Sequence, residues 1–165
     1  MGRQIVLGLG NILNTDEGLG VHALTALADR LGTAPQVELV DGGTMGLSLL
    51  PLVEGCDDLL VLDAVDAGAG AGTIVELGRE EIPLYTGVKL SQHQVTFQEV
   101  LGLANVRGKL PPRLHLLGIQ PADLTLGIGV SPVVEAALPA LVERAAAVLA
   151  GWGLGSATQP AGAAR

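Results

Sequence analysis

The chain has 165 residues and a formal net charge of -8 at pH 7, with only nine Lys and Arg residues. That length fits one domain, and the lack of a basic stripe excludes nucleic acid and anionic membrane surfaces as expected partners. A single cysteine excludes an internal disulfide, no apolar run reaches the roughly 18 to 20 residues of a membrane helix, and no charged-then-apolar leader precedes the first strand. We therefore expect a cytoplasmic, monomeric protein.

The opening stretch predicts a strand, a tight turn and a helix. The apolar run 5–7 ends in Gly8 and Gly10, which permit a close backbone approach at the end of a strand. Apolar spacing predicts a helix over 18–31. Asn14 is a candidate N-cap with Glu17 reaching back to it, which gives Glu17 a structural role as an alternative to a functional one.

The later segments alternate between strand-like and helix-like patterns. Strands are predicted over 36–41, 59–63, 73–77 and 114–119, and helices over 45–53, from about residue 97, and over 131–150. The segment 78–94 is irregular and places His93 just before or at a helix start. Residues 1–152 are predicted to form the domain, and the Gly/Ala-rich residues 153–165 a disordered tail.

This alternation predicts a single-domain α/β fold, a doubly wound and mostly parallel sheet of about five strands with helices on both faces. The carboxyl ends of parallel strands meet at one edge, where such sheets bind ligands. Asp16 and Glu17 follow the first predicted strand, and Asp41 and Asp63 are the last residues of the next two. We therefore expect these acids to gather along that edge.

Several familiar chemistries do not match this pattern. The G-x-G-x-x-G dinucleotide fingerprint is broken at Leu13, two carboxylates occupy the turn where pyrophosphate would lie, and no phosphate-loop motif is present. No G-x-S-x-G elbow surrounds any serine. Cys56 lies beside Asp57 and Asp58, which should raise the pKa of its thiol.

A metal site is the remaining candidate. Glu17, Asp63 and His93 offer two carboxylates and one imidazole, a donor set that suits a first-row divalent ion with open positions. Each residue also has a simpler structural reading: Asp63 as a strand-end cap, His93 as a helix-entry residue and Asp41 as an Asx-turn acceptor.

Four motifs, in order, resemble those of the nickel-iron hydrogenase maturation endopeptidases. They are G-x-G-N-x-L-x-x-D-E-G-x-G over 8–20, D-G-G-T over 41–44, D-A-x-D over 63–66 and S-x-H-Q over 91–94. The resemblance covers about residues 4 to 150, and the sequence following S-x-H-Q is similar to the branch that serves uptake-type hydrogenases.

The resemblance implies that Glu17, Asp63 and His93 bind nickel and that Asp41 is important for activity. The implied reaction is removal of the C-terminal extension of a hydrogenase large-subunit precursor after nickel insertion, with the nickel carried by the substrate and no organic cofactor. It leaves open whether nickel is only a recognition tag or also polarises the scissile carbonyl. A nickel-binding or sensing module without hydrolytic activity and a small-ligand binding domain are the alternatives. We expect residues 78–91 to dock the partner.

Overall fold

The computed structural model describes residues 2–33, 36–82, 89–90 and 92–154. Within these residues, six strands and four α-helices follow one another: β1 (Gln4–Leu9), α1 (Leu19–Leu31), β2 (Val37–Gly43), α2 (Leu50–Glu54), β3 (Asp58–Asp66), β4 (Ile74–Gly78), β5 (Lys89–Leu90), α3 (Gln92–Val106), β6 (Arg113–Ile119) and α4 (Pro132–Leu149). Two 3-10 helices, Thr15–Gly18 and Gly46–Leu49, precede α1 and α2.

The main sheet has the strand order β2-β1-β3-β6-β4. The first four of these strands are parallel, whereas β4 runs antiparallel to β6 at the sheet edge. The two-residue β5 pairs antiparallel with the last residues of β3. The predicted doubly wound, mostly parallel sheet is therefore confirmed, including the edge position of the strand predicted over 73–77.

The core consists of two apolar layers, one on each face of the sheet. Alternate residues of a strand point to opposite faces, so Leu59 and Val61 pack with α2 and α3 whereas Leu60 and Leu62 pack with α1 and α4. Because β3 is buried on both faces, it forms the continuous apolar run that marks a central parallel strand.

Two predicted boundaries differ from the structure. The helix predicted over 45–53 is a 3-10 turn followed by the five-residue α2, because Pro51 has no N–H to donate to the carbonyl of Leu47. The strand predicted over 59–63 begins at Asp58 and continues to Asp66. Its last residues find their partner in β5, more than 20 residues further along the chain.

The segment predicted as irregular contains turns over residues 79–82, then β5, and the next helix begins at Gln92. His93 therefore lies at a helix start, as predicted. Much of the expected docking segment, residues 83–88 and 91, lies outside the described residues, as does the predicted tail beyond residue 154. Within the described ranges, no helix combines the length and apolarity needed to cross a membrane.

Candidate active site

Three elements meet at the carboxyl edge of the sheet. The 3-10 helix that carries Glu17 contacts β3. Asp63 lies in β3, and two residues later Val65 pairs with Leu90 of β5. Helix α3 starts two residues after β5 and contacts it, so the backbone of His93, in the first turn of α3, lies near the strand that pairs with the end of β3. The backbone thus brings the three predicted metal ligands to one edge from distant parts of the sequence.

The two carboxylates of this set are buried. Glu17 is 6% exposed and Asp63 is fully buried, and Asp63 Oδ1 accepts a hydrogen bond from the backbone N–H of Ala64 at 2.7 Å. The side chain of His93 lies outside the described residues. Among the side chains that are described, no three His, Cys, Asp or Glu residues are grouped as a metal site.

The role predicted for the Asn14 side chain as the cap of α1 is wrong. Helix α1 begins at Leu19, and the side chain of Asn14 caps no backbone N–H. The backbone N–H of Glu17 instead donates to the carbonyl of Asn14 within the 3-10 turn.

Two glycines allow the start of α1 to lie directly on the strand ends. A Cβ on Gly20 would collide with the backbone carbonyl oxygens of Leu9 and Leu62. Gly10 has φ of 120°, and a Cβ there would collide with the carbonyl oxygen of Glu17. The glycines of the first motif thus bring Glu17 close to the ends of β1 and β3.

Asp41 lies on the neighbouring strand of the same edge. It pairs with Gly8 in the register of β1 and β2, and its side chain is exposed. Its Oδ1 accepts the backbone N–H of Gly43 at 3.0 Å, which is the predicted Asx turn. Its other oxygen has no partner in this turn, so Asp41 retains acceptor capacity at the edge.

Asp16, which the sequence predicted at this edge beside Glu17 but without a role of its own, is the structural anchor of this region. It is fully buried, and its Oδ2 accepts hydrogen bonds from the backbone N–H groups of Ala122 and Asp123 at 2.8 and 3.0 Å. Ser131 donates its N–H to Oδ1 at 2.6 Å and its hydroxyl to Oδ2 at 2.7 Å. Ser131 precedes α4, so the carboxylate also lies at the positive end of that helix.

The predicted N-cap at Ser131 is therefore only half correct. Ser131 occupies the N-cap position and Pro132 is the first helical residue, but the serine side chain bonds Asp16 and makes no capping bond to its own helix. The local pattern located the helix start correctly. The acceptor of the Ser131 hydroxyl, however, is Asp16, a residue 115 positions away in the sequence.

The second acid of the D-A-x-D motif also has a structural role. Asp66 Oδ1 accepts from the backbone N–H of Gly68 at 3.2 Å and from Gln120 Nε2 at 3.1 Å. The buried Gln120 in turn accepts the backbone N–H groups of Ala67 and Ala69 at 2.8 and 3.2 Å. Asp66 and Gln120 together fix the loop that follows β3.

Cys56 is not a nucleophile candidate. Burial, more than the carboxylates of Asp57 and Asp58, raises the pKa of its thiol to about 11. The nearby Arg3 partly opposes this shift. The predicted direction is confirmed, but the main cause is desolvation, and the thiol donates to the carbonyl of Val53 at 3.4 Å.

Comparison with known proteins identifies the relatives of this chain. The model of a family described as hydrogenase maturation protease matches residues 21–148. The hydrogenase expression/formation protein HupD of Rhizobium leguminosarum bv. viciae is 43% identical over 164 residues, covering 98% of this chain and 81% of the relative. The hydrogenase 2 maturation protease of Escherichia coli (strain K12) is 39% identical over 148 residues, covering 89% of this chain and 90% of that protein.

Solved structures with the same fold include two proteases of this kind. The hydrogenase maturating endopeptidase HybD from E. coli superposes with a TM-score of 0.85 at 38% identity, covering 92% of this chain and 94% of its own. The [NiFe] hydrogenase maturation protease HybD from Thermococcus kodakarensis gives a TM-score of 0.73 at 26% identity, with 88% and 98% covered. The likeness in structure extends over nearly the whole described chain.

Proposed function

Because this chain belongs to the hydrogenase maturation protease family, we propose that it removes the C-terminal extension of a nickel-iron hydrogenase large-subunit precursor after nickel insertion. In this proposal the nickel is part of the substrate, and Glu17, Asp63 and His93 bind it when the precursor docks. Asp41 lies beside them on the neighbouring strand and assists the reaction. No organic cofactor takes part.

The meeting of three elements at one sheet edge is the observation that carries this proposal. The 3-10 helix with Glu17, the buried stretch of β3 with Asp63 and the start of α3 with His93 come together there. Two carboxylates and an imidazole suit a first-row divalent cation and leave coordination positions for ligands of the precursor. The low dielectric around buried carboxylates strengthens their attraction for such a cation.

The same arrangement favours one specific substrate over general proteolysis. The first motif holds no nucleophilic serine, the Cys56 thiol is protonated at neutral pH, and no aspartic-protease D-[ST]-G pair occurs in the sequence. Chemistry that depends on a metal brought by the substrate would be inactive without it. We therefore propose that casein and short peptides spanning the cleavage site are not cut.

The direct test incubates the purified protein with nickel-loaded and nickel-free precursor and follows the mass of the precursor C-terminus. Glu17→Gln and His93→Ala should abolish cleavage with an unchanged melting temperature. Asp29→Asn is the matched control, because Asp29 is an exposed acid near the C-terminal end of α1, away from the carboxyl edge.

Full cleavage by either site variant would refute the ligand assignment. Equal cleavage of nickel-free precursor would refute recognition through nickel. Nickel-dependent binding without any cleavage would favour the alternative of a nickel-binding or sensing module.

A further inference from the structure

The segment after β6 carries a row of exposed aliphatic side chains. Leu124, Leu126 and Ile128 are spaced two residues apart and are 46%, 84% and 90% exposed. In the loop between β1 and α1, Ile12 and Leu13 are 47% and 53% exposed. Isolated exposed aliphatic residues are common, but such a group on two adjoining segments is typical of an interaction surface. We refer to these five residues as the apolar rim.

The apolar rim is held rigidly by the backbone. Gly127 donates its N–H to the carbonyl of Leu13 at 2.8 Å, and its own carbonyl accepts the N–H of Thr15 at 3.0 Å. The hydroxyl of Thr15 donates to the carbonyl of Thr125 at 2.5 Å. The buried Asp16 fixes both ends of the segment through its bonds to residues 122, 123 and 131. A surface ordered before binding loses less conformational entropy when a partner docks.

The rim adjoins the candidate active site. Thr15, which bonds the segment, belongs to the same 3-10 helix as Glu17. On the other side of that helix, a Cβ on Gly18 would lie only 2.7 Å from the Cα of Ile12. A peptide lying across the rim would therefore be next to Glu17.

Charge is distributed unevenly between the two edges of the sheet. Of the nine Lys and Arg residues, the side chains of Lys89 and Arg165 lie outside the described residues. The other seven lie near the amino ends of the parallel strands or in or just after the C-terminal halves of the helices: Arg3, Arg30, Arg79, Arg107, Lys109, Arg113 and Arg144. Six of these seven pair with carboxylates there.

The carboxyl edge is acidic in contrast. Asp41, Asp123 and Glu135 are exposed at this edge, and the one cationic residue whose described backbone lies with them is Lys89, which pairs with Asp66 at the end of β3. Hydrogen bonds from the hydroxyl and N–H of Thr125 lower the pKa of Asp123. Two copies of this chain meeting through this edge would bring like charges together, so the surface disfavours self-association and favours a cationic partner.

We infer that the apolar rim docks a segment of the protein substrate in which aliphatic side chains are flanked by Lys or Arg. This inference rests on the proposed function, because it takes the occupant to be the precursor that reaches Glu17. The aliphatic side chains of the segment pack on Leu126 and Ile128, and its cations face the exposed carboxylates of the edge. The rim thereby contributes affinity and orientation without taking part in the chemistry.

The test compares the wild type, the double variant Leu126→Ser/Ile128→Ser and the control Val106→Ser. Val106 is 84% exposed like Leu126, but it lies at the end of α3, far from the carboxyl edge. Binding of the nickel-loaded precursor is measured by titration calorimetry, and cleavage is measured separately on the same proteins. The double variant should raise Kd and KM by about ten-fold or more, from the lost burial of two aliphatic side chains, with kcat within about two-fold.

The control should match the wild type, and Kd for the wild type should rise with ionic strength because charge contributes to docking. An unchanged Kd in the double variant, with normal cleavage by the wild type, would refute the rim inference and leave the proposed function intact. Wild-type binding that the double variant weakens, without cleavage by either, would refute the proposed function and support the rim. A dimer of the free wild type that the double variant converts to a monomer would assign the rim to self-association and overturn the inference.

Discussion

Replacement of Asp16 by Asn should destabilise the protein although the two side chains have the same shape. The carboxylate receives three backbone N–H groups and one hydroxyl. If the amide oxygen replaces Oδ2, it retains the bonds from Ala122, Asp123 and the Ser131 hydroxyl. The amide NH₂ then faces the N–H of Ser131, and that pair of donors cannot bond.

The magnitude follows from these contacts. A hydrogen bond to a buried charged group contributes about 1.5–3 kcal/mol. The negative charge at the start of α4 adds about 0.3–1 kcal/mol, or more where the group is buried. Because Asp16 is fully buried, solvent cannot replace the lost acceptor. We expect Asp16→Asn to lower the free energy of unfolding by about 2–4 kcal/mol, and Asp16→Ala by more, since all four donors then lose their partner.

Urea denaturation at pH 7 measures the global effect, and amide hydrogen exchange measures the local one. Protection should fall first at residues 122–131, because Asp16 ties that segment to the first loop. The matched control is Asp123→Asn, which changes a neighbouring exposed acid whose Oδ1 bonds only within its own loop, to Thr125. A denaturation midpoint for Asp16→Asn equal to that of the wild type, or to that of the control, would refute the reasoning.

Three further predictions test the packing around the site. Gly20→Ala should lower the free energy of unfolding by about 2 kcal/mol or more, because the added methyl group collides with backbone carbonyls. The control is Gly102→Ala, where a Cβ meets nothing within 4 Å. Equal denaturation midpoints for the two variants would contradict the predicted clash. The pKa of the Cys56 thiol is raised from 9.0, its usual value, to about 11 in the folded protein. The free energy of unfolding should therefore fall as the pH rises between these values, by up to about 1.4 kcal/mol per pH unit. A Cys56→Ala protein with the same pH dependence would disprove this linkage. Asp58→Asn should lower the free energy of unfolding by about 1.5–3 kcal/mol, since the buried carboxylate accepts two hydrogen bonds from Arg113 and one from Gln4. Thermal melting at pH 7 measures this, and a melting temperature within about 1 °C of the wild type would contradict it.

Patterns that repeat within a few residues predicted most of the fold. The apolar run of β3, the spacing of α1 and the Ser131-Pro132 helix start each depend on neighbours in sequence. The expected placement of Glu17, Asp41 and Asp63 also followed from sequence, because parallel strands share one carboxyl edge. The assignment of Glu17, Asp63 and His93 as nickel ligands, and of Asp41 as a residue important for activity, remains a prediction.

Local sequence patterns were misleading where a hydrogen bond predicted between neighbouring residues competed with a contact to a distant part of the chain. Asn14 and Glu17 have the spacing of a capping pair, but the chain forms a 3-10 turn there. Gly10 and Gly20 have no Cβ and so allow this turn and the start of α1 to lie directly on the strand ends. The hydroxyl of Ser131 has the position of a cap, but the buried Asp16 offers it a charged acceptor. A charged acceptor in a buried position outweighs a local cap that solvent could replace.

The sequence alone therefore determined the order and type of the main elements and the edge at which the acids collect, since these depend on short-range periodicity and on the shared direction of parallel strands. Only the tertiary structure decided that β4 runs antiparallel to β6 and that β5 pairs with the residues of β3 beyond Asp63. It also decided that Asp16 accepts hydrogen bonds from a loop more than 100 residues away. These contacts join segments that are remote in the chain, and whether they form depends on which surfaces packing brings together. The apolar rim belongs to the same class, because its two segments become one surface only through the hydrogen bonds between Leu13, Thr15 and Gly127.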